Sequence, residues 1–190
     1  MIMLAFVESN NGELNFSMEI STSRKININW NSIESRLELH RQCKQIVFID
    51  PIALSLVPEL IDFELTLHNL VIVPINIAEK EKSTDTLLSI LSMLEHEGVG
   101  RLTDKIYVIG GGVLIDVVGL ACSIFRRGIY LTKVPTTLLA FIDASIGIKT
   151  GINFLGQRNR LGSYNVRFNV LLDSKFIKIL DKNLIKEGLG

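Results

Sequence analysis

The chain has 190 residues, enough for one domain or part of a larger protein, and 47% of them are hydrophobic. A chain this long can bury roughly 70% of its unfolded surface, and a mean hydropathy of +0.34 suits a well-buried parallel sheet better than a disordered or fibrous chain. With Lys+Arg and Asp+Glu both at 20, the net charge is zero, so nothing electrostatic points to nucleic acid or an anionic membrane as partner.

The first 35 residues differ in texture from the rest. AFVES and ELNFSMEI flank Asn10-Asn11-Gly12, which reads as the turn of a β-hairpin. Residues 1–40 are therefore expected to form a hairpin extension packed on a main domain of residues 41–190. From residue 45 strands and helices alternate. QIVFID (45–50) and LVIVPI (70–75) read as short apolar strands. Residues 83–98 read as a helix capped by Ser83 or Thr84 and stopped by Gly98, with Leu87, Leu88, Ile90, Leu91, Met93 and Leu94 on one broad face. KIYVI (105–109) is a third strand, residues 113–126 a helix, and IYLTKV (129–134) a fourth strand. The glycine-rich stretch 145–165 has little periodic signal and reads as a functional loop.

Apolar strands alternating with helices predict an α/β fold: a Rossmann-like parallel sheet flanked by helices, with the N-terminal β-hairpin added. Cys43 and Cys122 are the two cysteines; without a CxxC or a zinc-like spacing they indicate a reducing, cytoplasmic setting. No basic region followed by an apolar core opens the chain as a signal peptide would. The most apolar stretch is interrupted by Asp116 and three glycines, short of the roughly 20 residues a spanning helix needs. A soluble protein is expected.

Ligands of such sheets gather at the carboxyl ends of the strands. There the sequence places Asp50, the Gly110–Gly112 turn and Pro135-Thr136-Thr137. Glycines let a backbone approach a ligand, and the helix start at Val113 offers unpaired N–H groups suited to a pyrophosphate. The spacing is not GxGxxG, because Ile115 stands at the last glycine position, and a tight turn without ligand fits equally well. Asp116 is expected in the first turn of that helix, where a carboxylate gains roughly 0.3–1 kcal/mol from the dipole; its functional role would be to accept hydrogen bonds from sugar hydroxyls or an amide. Thr136 or Thr137 could simply cap the next helix, and FRRG (125–128) could simply end the preceding one. Asp143, Lys149 and Asn153 cluster among glycines, followed by Arg158, Asn159 and Arg160. Together they offer cations for a phosphate or carboxylate and amides for hydroxyls. His40, His68 and His96 show no paired metal spacing, and no Ser-His-Asp or Cys-His arrangement can be argued.

GGGVLIDVVG, RRG, VPTTLL, DASIGIKTGINF and RNRLGSY, in that order and spacing, resemble the dehydroquinate synthase family, the sugar phosphate cyclases. The resemblance runs from about Asp50 to the C-terminus. It implies that Asp50 binds the adenine ribose of NAD. AEKEKS is similar to the family's G-E-x-x-K-S, which implies cofactor roles for Glu79 and Lys82, with Ser83 beside them and Ala78 in place of the glycine. Gly111, Gly112, Val113 and Asp116 would line the pyrophosphate and nicotinamide, and Thr136 and Thr137 would touch the cofactor. Arg158, where a lysine is usual, would be a further cofactor contact of different shape and hydration. Arg127 would reach the substrate phosphate, in the family often across a dimer interface. Asp143, Lys149 and Asn159 would hold the substrate, with Asp143 and Lys149 as the catalytic pair.

Asp143-Ala144, Ile148 before Lys149, Asn153-Phe154 and the doubled Arg126-Arg127 resemble the branch that cyclises sedoheptulose 7-phosphate to 2-epi-5-epi-valiolone with loss of phosphate. The shikimate-pathway 3-dehydroquinate synthases are the alternative, and a non-catalytic NAD-binding or interaction module is the alternative of another class. The resemblance also implies a homodimer and a divalent metal, zinc or cobalt. In the family the metal ligands are a glutamate in G-L-x-E and two histidines of a helical second domain. The chain ends KEGLG, where that motif leads into the glutamate, so the expectation is the nucleotide-binding part of a longer lyase, without metal ligands of its own and inactive alone.

Overall fold

The computed structural model describes residues 4–10, 13–20, 24–102 and 104–178, with side chains at 28, 31–102 and 104–176. The expected hairpin turn at 11–12 and the terminal KEGLG lie outside the described residues. Strands β1 (Leu4–Asn10) and β2 (Glu13–Ile20) pair antiparallel, and β2 pairs antiparallel with β3 (Arg24–Trp30). Helix α1 (Ile33–Leu39) follows, started by Ser32, whose hydroxyl accepts from the Ser35 amide.

The alternating part then runs β4 (Gln45–Ile49), α2 (Pro51–Leu56), α3 (Glu59–Thr66), β5 (Leu70–Pro74), α4 (Thr84–His96), β6 (Lys105–Gly110), α5 (Gly112–Ile124) and β7 (Leu131–Pro135). After a π-helical turn at Ala140–Ala144 come β8 (Lys149–Phe154), β9 (Gln157–Tyr164), β10 (Phe168–Leu172) and α6 (Ser174–Lys178). The main sheet has the order β1-β2-β3-β10-β7-β6-β4-β5, and every neighbouring pair from β3 to β5 is parallel. The α/β, Rossmann-like sheet read from the sequence is therefore present, with β3 and β10 joining the four strands the sequence identified.

Both faces are covered, which is why the strands read as unbroken apolar runs rather than alternating ones. Ile46, Phe48, Ile106 and Val108 face α4 and α5, packing with Ile90, Leu94, Val117 and Ala121. Val47, Ile49, Tyr107 and Ile109 face the other way, against Ile33, Leu37, Ala53, Leu60 and Phe176. The edge segments needed no such pattern, and there the sequence misled. Residues 145–165 are not a loop: β8 and β9 form an antiparallel hairpin turned through Leu155 and Gly156, at φ 48° and 75°. Two residues with positive φ suit the right-handed twist of a tight hairpin. Most of β9 is exposed on both faces, so no period of two marks it.

No helix among the described residues is long and apolar enough to cross a membrane.

Candidate functional site

The carboxyl ends of β4, β6 and β7 are stitched together by backbone bonds. The Asp50 amide donates to the Ile109 carbonyl (2.9 Å), and the Thr136 amide donates to the Gly110 carbonyl (3.0 Å). This rim holds the glycine turn. Gly111 is the N-cap of α5 without any side-chain cap, and the first bond back along the helix comes from the Ile115 amide to the Gly111 carbonyl. The amides of Gly112, Val113 and Leu114 precede it, and the first amides of a helix have no partner within it. A Cβ on Gly110 would stand 2.8 Å from Leu114 Cδ2 and 3.3 Å from Leu114 Cβ, so Leu114 would have to shift to admit one. Gly111 and Gly112 are different: a Cβ there would meet nothing closer than 3.5 Å and 3.6 Å. The fold leaves a space above them that a side chain would fill, and that fits the close approach of a pyrophosphate to helix amides.

Asp116 lies in the second turn of α5, not the first as the sequence suggested, because the helix begins at Gly112 and has no acid in its first turn. The dipole argument for it therefore weakens, and its real partner is a lysine. Lys82 Nζ donates to Asp116 Oδ2 and to Asn159 Oδ1, both at 2.6 Å, and the Lys82 side chain is only 4% exposed. Burial pushes the Asp116 carboxyl above its ordinary value, and the Lys82 ammonium pulls it partly back.

Around this triad, Asn153 acts as a clamp. Its amide nitrogen donates to Glu79 Oε1 and to the Glu79 carbonyl, while its oxygen accepts from the Asn159 amide. The Asn153 amide also donates to the Lys82 carbonyl, so the segment after β5 is sewn to the β8–β9 hairpin. Asn159 takes a positive φ of 49°, a conformation asparagine tolerates. Arg158 is exposed, with Nε 3.8 Å from Glu79 Oε1.

Glu79, Lys82, Asp116 and Asn159 are thus one bonded network beside the cradle of Gly111, Gly112 and Val113. Thr137 Oγ1 accepts from the Ala140 amide, and its methyl is the nearest atom to a Cβ on Gly111. Asp143 is exposed in the π-helical turn and Lys149 is exposed at the first position of β8. Asp143 acts on Asp116 through its charge. Asp50 stands at the same edge, where one carboxylate oxygen caps α2 by accepting from the Ile52 and Ala53 amides.

Arg127 is not brought into this group. It is exposed beyond the far end of α5, some 20 Å along the helix from the cradle at 1.5 Å per residue. Helix α5 also ends earlier than expected, at Ile124, and Arg126 and Arg127 follow at φ 47° and 62°. FRRG is a strained turn rather than an ordinary helix end.

The sequence reading overlooked Lys133. It is fully buried in β7, donates to the carbonyls of Ala144 (3.0 Å) and Gly147 (2.8 Å), and sits 3.9 Å over the Phe168 ring. Burial pushes its ammonium down to about 8, with Asp116 and Asp143 pulling it back up. A lysine inside the apolar run just ahead of VPTT was the available signal. Among the described residues no group of three or more His, Cys, Asp or Glu is placed to hold a metal ion.

A family profile described as 3-dehydroquinate synthase N-terminal matches residues 72–187. The 2-epi-5-epi-valiolone synthase of Streptomyces albus is 44% identical over 112 residues, 59% of this chain and 27% of that protein. The solved 2-epi-5-epi-valiolone synthase of Streptomyces hygroscopicus subsp. jinggangensis, with NAD+ and Zn2+ bound, superposes with a TM-score of 0.76 at 31% identity. It covers 90% of this chain and 49% of its own. A solved 2-deoxy-scyllo-inosose synthase, complexed with carbaglucose-6-phosphate, NAD+ and Co2+, gives a TM-score of 0.75 at 25% identity and covers 88% and 48%. The chain spans about half the length of the solved relatives it matches.

Proposed function

This chain belongs to the dehydroquinate synthase family, and on that premise we propose that it is the NAD-binding portion of a cytoplasmic sugar phosphate cyclase, one that converts sedoheptulose 7-phosphate to 2-epi-5-epi-valiolone. The observation that carries the reading is the space left above Gly111 and Gly112 beside the Lys82–Asp116–Asn159 network. The names of the relatives support the finer assignment, and the fit of the cradle to a pyrophosphate supports the cofactor.

The residues divide the work by their chemistry. Helix amides at Gly112 and Val113 neutralise the pyrophosphate, assisted by the dipole of α5. Asp50 keeps a carboxylate oxygen for the adenine ribose. Asp116 accepts from a hydroxyl or amide of the cofactor, and Lys82 fixes its orientation from below. Glu79 and Arg158 close the outer rim, and Thr136 and Thr137 border the nicotinamide side. Because Asn159 Oδ1 is occupied by Lys82, its amide nitrogen is the free end and donates to the substrate. Lys149 attracts the phosphate or orients a hydroxyl, Asp143 accepts from one, and Arg127 serves the phosphate from a second copy of the chain in a homodimer. Bound NAD supplies reversible hydride acceptance at a ring alcohol, which acidifies the neighbouring C–H before phosphate leaves. The described residues do not fit the divalent metal of the family, and no step is assigned to it.

Calorimetry on the chain tests this. We expect saturable NAD uptake, weakened about tenfold in Asp116→Ala, roughly the value of one hydrogen bond to a charged group. An absence of uptake, or unchanged affinity in the variant, overturns the cofactor site. Titrating sedoheptulose 7-phosphate and the dehydroquinate precursor into NAD-saturated chain then ranks the substrates. Preference for the precursor moves the assignment to 3-dehydroquinate synthase, and binding of neither favours a non-catalytic NAD module.

A further inference from the structure

The opposite edge of the sheet carries a second polar pocket, of about 120 Å3, at the amino ends of β6, β7 and β10. Arg36 and His40 reach it from α1 and its C-cap, Lys105 from the first position of β6, Tyr130 and Thr132 from β7 and the residue before it, and Asn169 from β10. No carboxylate lines it. Among the described residues neither Arg36 nor Lys105 forms an ion pair.

Most of the polar atoms left over are donors. His40 is fixed through Nδ1, which lies 2.9 Å from the hydroxyl of the buried Tyr107 and 3.1 Å from the Arg36 carbonyl. Its Nε2 has no hydrogen bond among the described residues. Tyr130 donates its hydroxyl to Asn169 Oδ1 (3.0 Å), so the Asn169 amide nitrogen is the end left free. An ammonium, a guanidinium and an amide therefore converge from separate elements on a space that holds one small group, and His40 adds an N–H at Nε2 once it is protonated. Burial holds the His40 imidazole below its ordinary value; its hydrogen bond to the Arg36 carbonyl opposes this, and the Lys105 and Arg36 charges add to the lowering with no acid among the causes. The pocket is thus positive and uncompensated, in a part of the molecule that the nucleotide cradle does not use.

We propose that this pocket binds a phosphate-sized oxyanion, either free phosphate or the phosphoryl group of a small metabolite. Charge-assisted bonds from several directions suit a tetrahedral group that accepts on every side.

Imidazole NMR on the full chain, at constant ionic strength in chloride, tests the site with inorganic phosphate as probe. Phosphate is expected to shift the His40 signals saturably and to raise its pKa, since a nearby anion favours the imidazolium. His68 and His96, both exposed, serve as internal references that do not saturate. Lys105→Ala and, separately, Arg36→Ala are expected to weaken phosphate binding about tenfold. Arg41→Ala, which removes a neighbouring cation paired with Glu38, is expected to leave it unchanged. A sugar phosphate that displaces the ion from His40 assigns the pocket to a phosphoryl group, and one that does not assigns it to free phosphate; both results sustain the site. A linear response, an equal response to chloride, or unchanged affinity in both cation variants overturns it. NAD uptake at the other edge should be the same in all three variants, so the two sites stand or fall separately.

Discussion

Lys82 has both of its partners on other elements, Asp116 on α5 and Asn159 on β9. Replacing it with methionine leaves a buried carboxylate without its cation, which costs about 3 kcal/mol, the low end for a broken buried pair because the Asp116 side chain keeps 23% exposure. Urea denaturation of Lys82→Met checks this, and a stability equal to the parent would show that the pair carries nothing. Lys133 makes a different prediction. Its folded value is about 8 against an ordinary 10.5. Across that window the unfolded chain holds a proton that the folded chain has released, so this group makes unfolding free energy rise with pH. Lys133→Met removes that rise, and parallel stability curves for parent and variant across the window would refute it. The same substitution strips the Ala144 and Gly147 carbonyls of their donor and should speed amide exchange in the turn that carries Asp143.

At the scale of elements, the join between α5 and β8 sets how the glycine turn meets the β8–β9 hairpin. Gly119 lets the two approach: a Cβ there would stand 2.6 Å from Thr150 Cγ2. The threonine cannot swing away, since its hydroxyl donates to the Ser163 carbonyl. Gly119→Ala is therefore expected to destabilise by about 1–3 kcal/mol through overpacking, despite the roughly 1 kcal/mol that alanine gains over glycine inside a helix. Adding Thr150→Ser removes the offending methyl, keeps the hydroxyl, and should restore most of the loss. A double-mutant cycle with no coupling would place the strain elsewhere.

For the whole molecule, one rim of the sheet gathers the proposed nucleotide and substrate residues while apolar side chains remain exposed beside them. Leu139 is 57% exposed and Ile142 54%, one helical turn apart and next to Asp143. Exposed apolar surface of a few hundred Å2 favours association. Sedimentation should show concentration-dependent oligomers of the chain, reduced by Leu139→Ser with Ile142→Ser. A monomer at every concentration would contradict this.

The sequence by itself determined the α/β alternation, the central strands and the glycine turn at the rim. Strands buried on both faces must be continuously apolar, and turns that admit a ligand must be glycine, so both leave a local mark. Glu79 and Lys82 entered only through an ordered motif resembling a family, and Asn159 only as one of a run of polar residues. Tertiary structure alone decided that these three and Asp116 touch, that Asp116 answers to Lys82 rather than to a helix end, and that Lys133 lies buried beneath the turn carrying Asp143. It also decided that residues 145–165 form a hairpin, and that two cations and an imidazole meet at the far edge. Those outcomes depend on which distant segments the sheet order brings together, and a bond between residues 34 or 77 positions apart leaves no period in the chain to read.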